Sequence, residues 1–345
     1  MPPSTTSEFA SPNPTVQPLC RFSFTVGAGA RWTDSSKVFN PHCCNPFGNG
    51  IPNTRFLLQM SKLSISSWLL ISLGLLNAPQ AFSQVIPVHA EGLSEELVSV
   101  RLDANRRQEG VLSVKSGTQS PIRLAVLLPG SPSVVRAVVE NGVMQSSKLT
   151  GNFLIRARRF LANGAIATLI VDCQSDSGST CSSGYQASKE RQEDVNKLID
   201  EVKRKWPSLR EVWLVGTSMG TISSSFMPIY GRAFYSGAIH TATITEPFAK
   251  NSYRELGEFE YARAQIPQFF IHHKDDPCSL TTFAGAVKIA EKYKVPLVQV
   301  SGGGGFSGAA CEANTEHGFK GKEKVVMETI AEIIVTGKVS VLSVQ

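Results

Sequence analysis

The sequence has little excess charge and no long apolar run. Its 34 Lys and Arg residues exceed its 28 Asp and Glu residues by a net charge of +6 across 345 residues, and the excess is smaller still after residue 83. Such a weak charge indicates neither a nucleic-acid partner nor an anionic membrane surface. The apolar runs fall far below the roughly 20 residues that a membrane-spanning helix requires, so we expect no stable membrane anchor.

The first 59 residues lack the pattern of a folded domain. They are rich in Pro, Ser, Asn and Gly, show no sustained apolar period, and carry only Glu8 and Asp34 as acidic residues. A segment of this composition has too little apolar surface to form a buried core. We therefore expect residues 1–59 to be a non-native or disordered extension.

A signal peptide is predicted at residues 60–83. Lys62 follows Met60, an apolar run covers Trp68–Leu76, and Ala81–Ser83 supplies small residues at the two positions that a signal peptidase reads. Charge, apolar stretch and small residues stand here in the order of an export signal. We expect translation to start at Met60 and the mature protein to be secreted or periplasmic.

After the predicted signal peptide the sequence has four cysteines and no Cys-x-x-Cys pair. The missing pair argues against a zinc site, and we expect neither a metal nor a cofactor. An even number of cysteines in an exported domain predicts disulfides. Three pairings are possible, and the shortest loops favour Cys173 with Cys181 and Cys278 with Cys311.

Residues 84–345 have the size of one α/β domain and contain no internal repeat. From Leu97 onward, short β-branched runs alternate with longer amphipathic stretches, which predicts a mostly parallel central sheet with helices on both faces. The predicted strands are Val98–Leu102, Val111–Val114, Arg123–Leu128, Ala165–Val171, Glu211–Val215, Ser236–His240, Gln268–Ile271 and Leu297–Val300. The predicted helices are Phe153–Asn163, Ser188–Trp206, Ser218–Pro228, Thr282–Tyr293 and Lys322–Val335. Because ligands bind at the carboxyl ends of strands in open α/β sheets, we expect the chemistry in the turns there.

One of these turns has the pattern of a nucleophile elbow. The strand Glu211–Val215 leads into Gly216–Gly220, which reads Gly-Thr-Ser-Met-Gly, and a helical pattern follows at once. The serine of a Gly-x-Ser-x-Gly turn takes a strained backbone conformation, and the flanking glycines avoid collisions with the neighbouring strand and helix. This context predicts that Ser218 is a nucleophile.

The base that would activate this serine is predicted to be His317. A serine hydroxyl is a weak nucleophile at neutral pH, so a histidine must accept its proton and a carboxylate must orient that histidine. His317 follows the last predicted strand, where the chain order of serine, acid and histidine requires the base. His240 is interpreted as a packed core residue. The adjacent His272 and His273 point to opposite faces of a strand, which disfavours a metal pair.

The acid is expected in the turn after the strand Gln268–Ile271. We prefer Asp276, which stands immediately before a proline, and Asp275 is its near rival. Glu246 is a third candidate because the acid can also follow the preceding strand. Asp172 precedes the serine and does not fit the order.

Two backbone amides are expected to bind the negatively charged oxygen of a tetrahedral intermediate. Met219 follows the serine at the start of a helix, and Ser131 follows the first central strand. Gly130 lets the backbone there turn its amides toward the pocket. We therefore predict an oxyanion hole formed by the amides of Ser131 and Met219.

Together these motifs resemble the α/β-hydrolase family, specifically its small exported members without a large lid domain. The resemblance covers roughly Arg123–Val335. It implies the following roles: nucleophile Ser218, acid Asp276, base His317 and oxyanion amides from Ser131 and Met219. The sequence departs from the lipase and esterase pattern because Leu128–Ser131 replaces a His-Gly-Gly-Gly loop, and this departure leaves the ester class open.

Three further local features are predicted from the sequence. A bridge between Cys278 and Cys311 would join the acid loop to the base loop, since these cysteines lie near Asp276 and His317 in sequence. The stretch Gly302–Gly305 is expected to form a flexible pocket wall. The clustered arginines at positions 156, 158 and 159 are interpreted as the solvated face of a helix.

The function that these residues predict is carboxylic ester hydrolysis through an acyl-serine intermediate, on a small-molecule ester substrate. A peptidase, amidase or thioesterase is the alternative among enzymes. A non-catalytic binding protein of the same fold is the alternative from a different class, although such proteins usually lose members of the triad. The oligomeric state is left open.

Overall fold

The computed structural model describes residues 86–250 and 253–345, so the predicted extension and the predicted signal peptide lie outside the described residues. Within the described part, one large sheet is formed by nine strands. They are β1 (Leu93–Arg101), β2 (Arg107–Lys115), β3 (Arg123–Leu128), β6 (Ile166–Val171), β7 (Glu211–Thr217), β8 (Gly237–Thr241), β9 (Gln268–His273), β10 (Leu297–Val300) and β11 (Ser343–Val344). A separate hairpin is formed by β4 (Val138–Glu140) and β5 (Val143–Ser146). No helix of this part is long and apolar enough to cross a membrane.

The strand order of the large sheet is β1-β2-β6-β3-β7-β8-β9-β10-β11. β1 pairs with β2 and β2 with β6 in antiparallel fashion, and every pairing from β6 to β11 is parallel. The carboxyl ends of β3, β7, β8 and β9 therefore meet at the same edge. This edge is where a ligand binds in an open α/β sheet.

Helices cover both faces of the sheet. They are α1 (Phe153–Ala157), α2 (Ser183–Gln186), α3 (Lys189–Lys205), α4 (Gly220–Gly231), α5 (Phe283–Tyr293) and α6 (Glu323–Thr336). Ala125 and Leu127 of β3 pack with α1 and α6 in one core cluster, whereas Leu124, Val126 and Leu128 pack with α3 and α4 in a second cluster. The continuous apolar run of β3 thus arises because both faces of this central strand are buried.

The observed architecture is the predicted one, an α/β-hydrolase fold with a mostly parallel central sheet and helices on both faces. Each predicted strand is present, with ends shifted by up to five residues, and four of the five predicted helices are present with ends shifted by up to three. The predicted helix Phe153–Asn163 is α-helical only over Phe153–Ala157 and continues as a 3₁₀ turn at Arg158–Phe160. The prediction missed the hairpin β4–β5, although its turn Asn141-Gly142 is a dipeptide that favours tight hairpins and both residues have positive φ. It also missed α2 and β11, which are only four and two residues long.

The interpretation of the arginine cluster as a solvated face is wrong. The side chain of Arg158 is fully buried, and its Nη2 lies 2.8 Å from Oε1 of Glu95, which is also buried. Glu95 accepts further hydrogen bonds from Ser113 Oγ and the amide of Met144. Arg156 is largely buried as well and pairs with Glu323. Arg156 and Arg158 thus face carboxylates inside the protein, whereas Arg159 pairs with the exposed Glu91. Sequence spacing does not reveal the buried partners, because Glu95 and Glu323 lie far from the arginines in the chain.

Candidate active site

Ser218 lies in the turn between β7 and α4, and its backbone has a φ of 52°. This left-handed conformation is strained for a residue with a side chain and is the geometry of a nucleophile elbow. A Cβ atom on Gly220 would lie 2.0 Å from the carbonyl oxygen of Leu128, and one on Gly216 would lie 2.4 Å from Ser224 Oγ. The two glycines are therefore required because the turn is pressed against the end of β3 and the first turn of α4.

His317 lies in the loop between β10 and α6, in a short 3₁₀ turn whose preceding residue, Thr315, caps it with its hydroxyl. The ring is buried, and its Nδ1 is 3.1 Å from Oδ2 of Asp276. A hydrogen on Nδ1 satisfies this contact and leaves Nε2 free to accept a proton. His317 and Ser218 line the same cleft, which has a volume of about 390 Å³.

Asp276 is the one of the three candidate acids that contacts His317. Its Oδ1 accepts a hydrogen bond from the amide of Cys278 at 2.9 Å, and its side chain is fully buried. Asp275 and Glu246 form no hydrogen bond with His317 within the described residues. The amide of Asp275 donates to His273 Nδ1, and Glu246 accepts from the hydroxyl of Thr282 at the start of α5.

Thr281 joins the acid and the base and was missed by sequence reasoning. Its Oγ1 donates to Oδ2 of Asp276 at 2.9 Å and lies 3.0 Å from Nδ1 of His317. The three side chains thus form a closed triangle of contacts that fixes the ring plane of His317. No motif marks this threonine, because its role depends on a residue 36 positions later in the chain.

The loop after β3 holds Ser131 at the rim of the cleft. The hydroxyl of Ser133 donates back to the carbonyl of Pro129 at 2.7 Å, which closes the loop. Asp172, which does not fit the triad order, has a structural role here. Its buried carboxylate accepts from the amides of Val135 and Arg136 at 2.7 Å each and so anchors the far side of the loop.

The two predicted oxyanion amides belong to Ser131 and Met219. Neither amide donates a hydrogen bond to another group within residues 86–250 and 253–345. Met219 directly precedes the first residue of α4, and its side chain is buried in the core. Amides without an acceptor are what the predicted oxyanion hole requires.

The structure contains the two disulfides that the shortest loops favoured. Cys173 pairs with Cys181, and Cys278 pairs with Cys311. Cys278 follows the acid and Cys311 precedes the base, and both cysteines line the cleft. The second disulfide therefore joins the acid loop to the base loop across 33 residues of sequence.

Arg156 also holds the loop that contains His317. Its Nη2 donates to the carbonyl oxygen of Gly318 at 2.7 Å, and its Nε donates to Glu323 at 3.1 Å. Burial lowers the pKa of Arg156, and the carboxylate of Glu323 opposes this shift. This arginine connects α1, the residue after His317, and the start of α6.

The other histidines of residues 86–250 and 253–345 lie outside the cleft. His240 is fully buried with its Nδ1 2.8 Å from Ser224 Oγ, and burial lowers its pKa to about 4, as fits a neutral core residue. Burial also lowers the pKa of His272. His273 Nε2 contacts the carbonyl oxygen of Gly302 at 2.8 Å. Among the described residues, no group of three or more His, Cys, Asp or Glu side chains is arranged to hold a metal ion.

The expectation that Gly302–Gly305 forms a wall of the pocket is wrong. Gly302–Gly305 are exposed and do not line the cleft. The wall is formed further along the same loop, by Ala309, Cys311, Glu312 and Ala313. The disulfide at Cys311 draws this later part of the loop toward the acid turn.

No family model matches the chain, and no curated protein matches it in sequence. The solved structures that it matches include Est1E from Butyrivibrio proteoclasticus, at 12% identity over 70% of this chain and 98% of that chain, with a TM-score of 0.47. They also include a cold-adapted esterase from an Arctic intertidal metagenomic library, at 13% identity over 70% and 95%, with a TM-score of 0.45. Dienelactone hydrolase from Anabaena variabilis matches at 12% identity over 72% and 99%, with a TM-score of 0.44. The fold assignment rests on the strand order and the serine turn of this chain itself.

Replacing Asp276 and Asp275 by asparagine in separate variants tests which of them is the acid. Asp276→Asn keeps the shape of the side chain and removes the charge beside His317, so we expect the rate of p-nitrophenyl acetate hydrolysis to fall by about 10³- to 10⁴-fold. Asp275→Asn is the matched control and is expected to retain turnover within about twofold. An equal or larger loss in Asp275→Asn would show that the acid is misassigned.

Removing the disulfide between the loops of Asp276 and His317 is expected to lower turnover without changing the secondary structure. For Cys278→Ser/Cys311→Ser we expect turnover to fall about tenfold or more while far-UV circular dichroism is unchanged, because triad geometry is sensitive to small displacements. Loop length predicts a loss of about 4 kcal/mol in unfolding free energy.

The control is Cys173→Ser/Cys181→Ser, which opens a loop of only 8 residues. Its expected loss of unfolding free energy is about 2 to 3 kcal/mol, with a smaller loss of turnover because neither cysteine lines the cleft. Full turnover in the Cys278/Cys311 variant, with both serines verified by mass spectrometry, would contradict the positioning role.

Proposed function

We propose that this protein is a carboxylic ester hydrolase that works through an acyl-serine intermediate, with Ser218 as nucleophile, His317 as base and Asp276 as the acid that orients the base. The observation that carries the proposal is the shared cleft. Ser218, in its left-handed turn, opens into the same 390 Å³ space as His317, whose ring is held by Asp276 and Thr281.

Acylation follows from the free atoms of these groups. Nε2 of His317 accepts the proton of the Ser218 hydroxyl as Oγ forms a bond to the ester carbonyl carbon. The carbonyl oxygen becomes negatively charged, and the unpaired amides of Ser131 and Met219 donate hydrogen bonds to it. The carbon–oxygen bond to the alcohol then breaks, and the alcohol leaves with the proton from His317.

Deacylation repeats the sequence with water. His317 accepts a proton from a water molecule, and the resulting hydroxide attacks the acyl carbon. The second tetrahedral intermediate collapses, the acid product leaves, and the proton returns to Ser218. The buried carboxylate of Asp276 stabilises the imidazolium that exists in both steps, and burial strengthens this interaction.

The cleft favours a compact substrate. A volume of about 390 Å³ stands near the lower end of the range for small-molecule pockets. Its walls combine apolar side chains, including Phe153, Ile244 and Leu280, with the polar rim of Asn152 and Tyr253. We therefore propose a small ester with a short acyl group, and a peptidase acting on folded proteins is disfavoured by the size of the cleft.

We also propose that the mature protein is exported. Two disulfides in residues 84–345 are compatible with an oxidising compartment, and the pattern from Met60 to Ser83 is that of an export signal. N-terminal sequencing of the protein from its natural host is expected to begin near Gln84. A mature protein that still contains Arg21 or Trp32 would contradict the proposal.

A covalent probe tests the nucleophile directly. A fluorophosphonate is expected to label the wild-type protein at Ser218, and Ser218→Ala should lose both the label and at least about 10³-fold of the turnover of p-nitrophenyl acetate. Acetyl, butyryl and octanoyl esters compared at equal concentration should show the highest kcat/KM for the shorter chains.

Ser223→Ala is the matched control for this probe, because Ser223 is a buried serine of α4 that contacts Gln186 and does not line the cleft. Its labelling should equal that of the wild-type protein. An unlabelled, correctly folded wild-type protein would favour the alternative of a non-catalytic binding protein.

A further inference from the structure

Asn152 is the residue before α1, and its polar groups are almost fully occupied. Its amide donates to the carbonyl of Leu149 at 2.8 Å, and its own carbonyl accepts from the amides of Ile155 and Arg156. Its side-chain Oδ1 caps α1 by accepting from the amide of Leu154 at 3.1 Å. Only the side-chain Nδ2 has no acceptor within the described residues.

The cap determines which way the side-chain amide points. An N-cap must offer an oxygen to the helix, so Oδ1 faces Leu154 and Nδ2 faces the opposite direction. That direction is toward Gly130, since Nδ2 is the Asn152 atom found near the point where a Cβ atom of Gly130 would stand. Asn152 and Gly130 both line the cleft, together with Ser131 and Ser218. The capping bond thus presents two N–H groups to the site.

Nδ2 lies close to the nucleophile. The point where a Cβ atom of Gly130 would stand is 3.6 Å from Nδ2 of Asn152 and 3.0 Å from Cβ of Ser218. Because residue 130 is glycine, no side chain separates the two. The donor therefore borders the space between the Gly130–Ser131 loop and the serine, where the carbonyl oxygen of a bound ester develops its charge.

We propose that Asn152 is a third oxyanion donor, whose Nδ2 hydrogen-bonds to the ester carbonyl oxygen as this oxygen becomes negatively charged. The inference rests on the proposed ester hydrolysis and adds a side chain to the two backbone amides. A neutral donor fixed by a capping bond needs no reorganisation when the charge appears. Such a donor typically contributes about 10²- to 10³-fold to the rate.

Asn152→Ser tests the donor role of Asn152 apart from its role as helix cap. Serine caps helices about as well as asparagine, and Ser188 already caps α3 in this protein. Its side chain is too short to reach the cleft. For Asn152→Ser we expect kcat to fall about 100-fold with p-nitrophenyl acetate, KM to change less than about threefold, and the melting temperature to stay unchanged. Asn152→Ala should show the same kcat and a lower melting temperature, because it loses the cap as well.

A boronic acid provides a readout that a structural role would not change. Oγ of Ser218 forms a bond to boron, the serine proton passes to His317, and boron becomes four-coordinate and negatively charged, which resembles the tetrahedral intermediate. The inhibition constant of phenylboronic acid is expected to rise in Asn152→Ser by about the factor by which kcat/KM falls.

Wild-type kcat in Asn152→Ser, or a raised KM with unchanged kcat, would overturn the assignment of Asn152 as an oxyanion donor. An unchanged boronate inhibition constant would do the same. These results are distinct from failure of the proposed function itself, which would appear as a wild-type protein without ester turnover or as turnover that survives Ser218→Ala.

Discussion

The close approach of the serine turn to the end of β3 is the constraint on which the site depends. A Cβ atom on Gly220 would lie only 2.0 Å from the carbonyl oxygen of Leu128, so the start of α4 and the end of β3 are in backbone contact. Ser131 follows one of the two touching segments and Met219 begins the other, so this contact is the one on which the proposed oxyanion hole depends. It also explains the positive φ of Ser218, since the chain must reverse within one residue to leave β7 and enter α4.

The second half of the site is held differently, by long-range links instead of backbone contact. His317 lies on a loop of 22 residues between β10 and α6 that has only a short 3₁₀ turn as regular structure. The loop is fixed by the disulfide from Cys311 to Cys278, by the triangle of Asp276, Thr281 and His317, and by the hydrogen bond from Arg156 to Gly318. The large entropy cost of ordering such a loop is therefore offset by covalent and charge-assisted bonds.

The sequence was sufficient for the parts of the fold that obey local rules. Buried strands appear as apolar runs, amphipathic helices as a 3.6-residue period, and the elbow as glycines around a serine, so the sheet, the helices and Ser218 were all predictable. Arg158 and Arg156 were misread because their partners Glu95 and Glu323 lie 63 residues earlier and 167 residues later. Thr281 was missed because it contacts a histidine 36 residues further along the chain. A long-range partner leaves no period or spacing in the sequence, and short elements such as α2 and β11 leave too few residues for a pattern.

Two buried carboxylates orient different parts of the candidate site. Asp276 contacts Nδ1 of His317, whereas Asp172 accepts from the amides of Val135 and Arg136 and so holds the loop that contains Ser131. Asn152 follows the same principle, since the amide of Leu154 fixes the orientation of its side chain. In each case a group near the serine is oriented by a hydrogen bond made on the side away from the cleft. Because those bonds are formed without a substrate, the proposed reaction requires little reorganisation when charge develops on the carbonyl oxygen, which is the condition under which fixed dipoles are most effective in catalysis.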